Sequence, residues 1–125
     1  MPQDANIGFT WRAADICKTA AATNATAATV HTVTTGKTFY MTSANLTTIK
    51  DASSTSVAGT LRGTVGGTTL SIISLSGQTL TAQTLGVAQA FPCPIPFDSG
   101  TAITVENTTN VANVKTTASI HGFEL

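Results

Sequence analysis

Apolar and polar positions alternate through residues 28–49, and a Thr35-Gly36-Lys37 turn interrupts the alternation once. The stretch reads ATVHTVTTGKTFYMTSANLTTI and is rich in Thr, Val, Phe and Tyr. Branched and flat side chains suit a pleated surface, because they pack there with little further loss of freedom. Gly36 can supply the positive φ of a tight reversal. The pattern predicts two strands, the second over 38–49. By strict alternation, Tyr40, Ala44 and Leu46 fall on one face with Thr42 and Thr48, and Phe39 and Met41 fall on the other. This places Tyr40 toward the core.

The pattern continues with Lys50-Asp51-Ala52 and the serines after it, a polar loop. Residues 57–65 carry Val57, Leu61 and Val65 with Gly59 and Gly63 between them, which predicts a strand with a bulge or a close backbone approach. Gly66-Gly67 is a hairpin signal, and 68–75 is the return strand. Gly77 breaks that strand, and 78–91 is another long run. Residues 91–97, FPCPIPF, hold a proline at every second position. Proline has no N–H to donate, so this run is expected at an edge or crossover, with Phe91, Cys93, Ile95 and Phe97 on one side. Asp98-Ser99-Gly100 turns the chain into a strand over 101–106, and 114–123 is the last strand.

Residues 1–27 lack this alternation and are read as an extended N-terminal arm anchored by Phe9, Trp11 and Ile16. Its AAATNATAA stretch is a poor helix, because interleaved Thr and Asn compete for the backbone. Residues 28–125 are read as one β-sandwich domain. Seven or eight short strands without a standard helix give two packed antiparallel sheets, with a jelly roll as the best match. An immunoglobulin-like order fits less well, because Trp11 precedes both cysteines.

Composition sharpens this picture. The chain has 125 residues, one domain by length. Thr is about a fifth of it, and the common helix formers are scarce. Only 10% of residues are charged, and the formal net charge is zero. A neutral chain is ill suited to phosphate, so nucleic acid is not expected as a partner. The start has no basic leader or apolar core of signal-peptide length, and no run is long enough for a membrane helix. Synthesis without export is therefore expected, with no membrane partner. Cys17 and Cys93 are expected as free, partly buried thiols.

Candidate chemistry is sparse. His31 and His121 are read as strand histidines rather than bases. No chelating spacing joins them to the cysteines, and Asp4, Asp15, Asp51, Asp98, Glu106 and Glu124 never pair at close spacing. No catalytic residue, metal or cofactor is expected, and the chain is read as a non-enzyme.

Three stretches, TTGKTFYMTSANLTT (34–48), FPCPIPFDSGTAITVE (91–106) and TASIHGFEL (117–125), together resemble small β-sandwich proteins of tailed-phage virions. The resemblance covers about residues 28–125 and points to the capsid decoration (cement) type. Phe123 stands where Tyr is commoner. It implies a structural virion protein on the capsid surface that binds the major capsid protein and itself, as a homotrimer, and stabilises the shell. Phe9, Trp11 and Arg12 are the expected interface anchors, since aromatics and Arg favour that role. The alternative is a carbohydrate- or host-surface-binding module of a tail or fibre, for which Trp11 and Tyr40 are the available ring platforms.

Overall fold

The computed structural model describes residues 14–23, 26–50, 55–79, 84–108 and 114–125. They form eight strands: β1 (Asp15–Thr23), β2 (Ala27–Thr32), β3 (Phe39–Lys50), β4 (Thr55–Val65), β5 (Thr68–Thr79), β6 (Thr84–Phe97), β7 (Ala102–Asn107) and β8 (Val114–Glu124). A front sheet has the order β1-β8-β3-β6, and a back sheet has the order β2-β7-β4-β5. Every strand pairing is antiparallel. The two packed antiparallel sheets in jelly-roll order are the class expected, although one of the eight strands, β1, comes from the stretch read as an arm. Among the described residues no helix is long and apolar enough to cross a membrane.

The side chains that fill the space between the sheets are the alternating apolar ones. Phe39, Met41, Leu46, Leu61, Phe97, Ile103 and Val105 are fully buried. Strand β3 reaches this core by an irregular route. Its register with β6 and β8 shifts between Met41 and Ser43. One extra residue flips the facing of all that follow, so Phe39 and Met41 point inward, and so do Ala44, Leu46 and Thr48. Tyr40, expected to face the core with Ala44 and Leu46, is instead on the outer face. Its ring stacks on Phe123 with centroids 5.3 Å apart.

The glycines of β4 mark close approaches. A Cβ on Gly63 would lie 2.5 Å from Cδ1 of Phe97, and one on Gly59 would lie 2.5 Å from Cγ2 of Thr116. The space beside Gly59 holds a buried polar pair, Thr48 Oγ1 and Thr116 Oγ1 at 3.0 Å. Pairing satisfies both hydroxyls away from water. The register of β4 with β5 shifts between Leu61 and Arg62, but the extra residue is Ile72 of β5, so of the two expectations for β4 its glycines mark close approaches and the bulge lies in its partner.

Gly66 and Gly67, at φ 58° and 80°, form the two-residue hairpin between β4 and β5. Asp98 fastens this hairpin. Its Oδ1 accepts from Gly66 N–H at 2.9 Å, and its Oδ2 accepts from Gly67 N–H at 2.7 Å. Charge-assisted bonds of this kind contribute about 1.5–3 kcal/mol. Asp98→Ala is expected to lower stability by that order, read as a lower urea midpoint at unchanged slope. Asp98→Asn should retain part of the loss, because its single oxygen can accept only one of the two bonds well.

The proline-bearing run ends β6, which is an edge strand as expected. The missing donors therefore cost no ladder bonds on the open side. The Thr34–Lys37 turn, closed by Lys37 N–H donating to Thr34 O at 3.0 Å, is not a hairpin. It carries the chain from β2 in the back sheet to β3 in the front sheet.

The largest departure lies in the stretch read as an arm. Asp15–Thr23 is strand β1, paired along its whole length with β8. The sandwich thus includes chain from Asp15 onward, inside the 1–27 segment. Weak local preference is overridden here by the ladder β8 offers and by burial of Ala22. Phe9, Trp11 and Arg12 lie outside the described residues.

The C-terminal end is clamped at the turn between the sheets. Thr38 and Leu125 exchange backbone bonds of 3.0 and 3.1 Å. Glu124 Oε1 accepts from Thr34 N–H at 3.1 Å and meets His31 Nε2 at 2.7 Å. Burial pushes the Glu124 carboxyl up, but hydrogen bonds from Thr34 and His31, with the His31 charge, outweigh it and hold the group below its ordinary range. Its contribution is therefore complete above the ordinary carboxylate range and is lost as pH falls through the lowered value. Stability is expected to drop on acidification through that window. Urea titrations of the wild type and Glu124→Gln should show a smaller drop in the variant.

Candidate functional site

The outer face of the front sheet collects side chains from four strands into transverse rows. One row is Thr19–Ser119–Asn45–Ala88, and the next is Cys17–His121–Ser43–Ala90. A third row, Asp15–Phe123–Tyr40–Pro96, carries the stacked aromatic pair. The first two rows line a trough of about 580 Å³, and the row between them, Lys18–Ile120–Ala44–Gln89, forms its floor. The hollow exists because small residues face outward in the middle of the sheet, while the aromatic row stands above it at one end.

The polar groups of the trough are held in place. Thr19 Oγ1 and Ser119 Oγ are 2.8 Å apart. The Thr42 hydroxyl donates to the carbonyl of His121 at 3.1 Å. Its oxygen also lies 2.8 Å from His121 Nδ1 and, its one proton being used, accepts from Nδ1–H. That leaves Nε2 facing outward, 3.8 Å from Asp15 Oδ2. With Nδ1 donating, Nε2 is the ring's acceptor. No carboxylate lines the trough.

The remaining candidates are dispersed. His31 packs against Phe39, with ring centroids 5.0 Å apart, and is engaged by Glu124. It lies in the back sheet, so the two histidines are not gathered into one site. Cys17 and Cys93 are free. Both are exposed rather than partly buried, because β1 and β6 are the two edges of the front sheet. Among the described residues, no three His, Cys, Asp or Glu side chains are grouped to hold a metal ion.

Three of the four described acidic side chains, Asp98, Glu106 and Glu124, have hydrogen-bond partners within the fold. Glu106 Oε2 accepts from Arg62 Nη1 at 3.1 Å on the outer face of the back sheet. Asp98 is held by the hairpin, Glu124 by the turn, and Asp15 is the closest acid to His121. The arrangement can offer neutral hydrogen-bonding groups over a shaped face.

Sequence reasoning missed the trough. Its residues alternate along β1, β3, β6 and β8, but only the pairing register shows that they share rows. The outward runs of small and hydroxyl residues at 43, 45 and 47 and at 117 and 119 were the available signal.

No protein-family model matches the chain, and no curated protein matches it. Among solved structures, it is similar to a protein of the Bacillus endospore appendages, a family of disulfide-linked pili. The identity is 10%, the TM-score 0.37, and 90% of each chain is covered. It is also similar to the family 11 carbohydrate-binding module of Clostridium thermocellum, solved with a β-1,3-1,4-mixed-linked tetrasaccharide. Here the identity is 7% and the TM-score 0.32, over 87% of this chain and 83% of that one. Likenesses this distant do not bear on what the chain does.

Proposed function

We propose that the chain is a structural virion protein of the capsid-decoration type, which binds the major capsid protein, assembles as a homotrimer and stabilises the shell. The observation that supports this is the way charge is used. Asp98 and Glu124 are held by hydrogen bonds within the fold, Glu106 is paired with Arg62, Asp15 stays exposed at one end, and the middle rows of the front sheet present mainly Thr, Ser, Asn and Ala. A protein that works by covering another protein's surface needs such faces, since charged residues are depleted in the cores of interfaces. It also needs no catalytic set.

The role follows from added contact area. A module that bridges neighbouring capsomers raises the cost of separating them and so resists outward pressure from packaged DNA. The N-terminal residues Phe9, Trp11 and Arg12 are the proposed anchors. The test is co-sedimentation of purified chain with capsids of the phage that encodes it. Saturable binding at a fixed ratio to the major capsid protein, with a higher capsid melting temperature, is the expected result. Deletion of residues 2–12 should weaken it at least tenfold. Absence of binding at micromolar chain would overturn the proposal.

A further inference from the structure

We propose that the front-sheet trough is a binding site for a neutral carbohydrate chain, laid across strands β1, β8, β3 and β6. Four features of the face carry the assignment.

The first is charge. The trough offers hydroxyl, amide and imidazole groups from Thr19, Ser43, Asn45, Ser119 and His121, with no carboxylate in its lining and only Lys18 at the edge. An anionic ligand would ask for more basic groups, and a cationic one for acids. A neutral polyol asks for donors and acceptors of the kind present.

The second is that these groups are pre-set. Thr19 and Ser119 are bonded to each other, and Thr42 fixes the His121 ring with Nε2 outward. Groups already ordered lose less freedom when a ligand arrives.

The third is shape. Ala88 and Ala90 leave space above β6, and the trough crosses the sheet from edge strand to edge strand. Four strands at the usual spacing give a length of roughly 14 Å. A hollow with an edge at each side admits the interior of a long chain and not only its end.

The fourth is the aromatic row. Tyr40 and Phe123 stand on the same outer face, one row beyond His121, as a stacked pair. The C–H faces of sugar rings pack on flat apolar surfaces of this kind, with hydroxyls left for polar neighbours.

The test is a ¹⁵N chemical-shift titration of the full chain with cellohexaose, xylohexaose, maltohexaose and laminarihexaose, and with a hexamer of galacturonate as the charged control. Saturable shifts at 17–19, 43–45, 88–90 and 119–121 with at least one neutral hexamer are expected. Asn45 is exposed, so Asn45→Ala should fold normally. It should weaken binding by about tenfold, the effect of one lost hydrogen bond at about 1.4 kcal/mol. Tyr40→Ala tests the aromatic row in the same way, with its melting temperature as the control for folding. No saturable response to any neutral hexamer, or a response to galacturonate alone, would overturn the inference. It would also fall if capsids protect these rows while every neutral hexamer leaves them unmoved, since the trough would then be a protein contact. Capsid binding unaffected by Asn45→Ala would leave the decoration proposal standing whichever way the titration ends.

Discussion

Gly122→Ala is expected to prevent normal closure of the front sheet. Gly122 faces inward on β8, opposite Met41 of β3. A Cβ there would overlap the backbone carbonyl oxygen of Tyr40 and lie 2.7 Å from Cζ of Phe39. The Phe39 ring cannot turn aside, because it is fully buried against Phe97 and His31. The Tyr40 carbonyl belongs to the strand itself. Relief therefore requires β3 and β8 to move apart where they are bonded. Overpacking a core against side chains costs about 1–3 kcal/mol, occasionally more. Overlap with backbone should exceed that, a large part of the about 5–15 kcal/mol that holds a domain together. Urea denaturation followed by far-ultraviolet circular dichroism checks it. The expected variant is either insoluble or has a greatly lowered midpoint, and a wild-type midpoint would refute the role assigned to this glycine.

Phe97→Ala is expected to cost about 3–5 kcal/mol, the range for emptying a buried aromatic site. The ring is fully buried, 6.2 Å from the Phe39 ring, and it occupies the space that Gly63 leaves open. The pair can be tested as a unit. Gly63→Ala alone should destabilise the fold, because its Cβ meets the Phe97 ring. In the Phe97→Ala background the same change should cost far less, since it fills vacated space. The double-mutant cycle should therefore show a coupling larger than the few tenths of a kcal/mol seen between independent sites. Additive losses would mean that the glycine serves backbone freedom and not the ring.

The sequence carried most of the fold in local signals with a single physical cause. Gly66-Gly67 needed positive φ at both residues, the prolines of 92–96 excluded a central strand, and Gly59 and Gly63 announced close contact. Two features escaped because they depend on partners. Strand β1 is written in alanine and threonine, and only the ladder of β8 makes it a strand. The bulge at Thr42 has no glycine to announce it, yet it reverses the facing of Tyr40. Strict alternation put that ring in the core, where it could not serve as a platform. The bulge places it on the outer face.

The three stretches on which the virion resemblance rests also find a structural reason. Phe39 of the first pairs with Phe97 of the second and Glu124 of the third. Thr38 and Leu125 are bonded, and Asp98 holds the hairpin beside them. Together they build one end of the sandwich, so what they specify is the fold. The trough draws on other positions of the same strands, and no continuous motif spells it.

The central claim is that this jelly roll works on the outside of a virus shell. The most direct measurement is a pair of cryo-electron microscopy reconstructions of purified particles of the encoding phage, with its gene intact and deleted. The account predicts eight-stranded sandwich density on the outer capsid surface, grouped in threes and joined to the major capsid protein, that vanishes on deletion. Identical capsid maps, or sandwich density only at the tail, would contradict it.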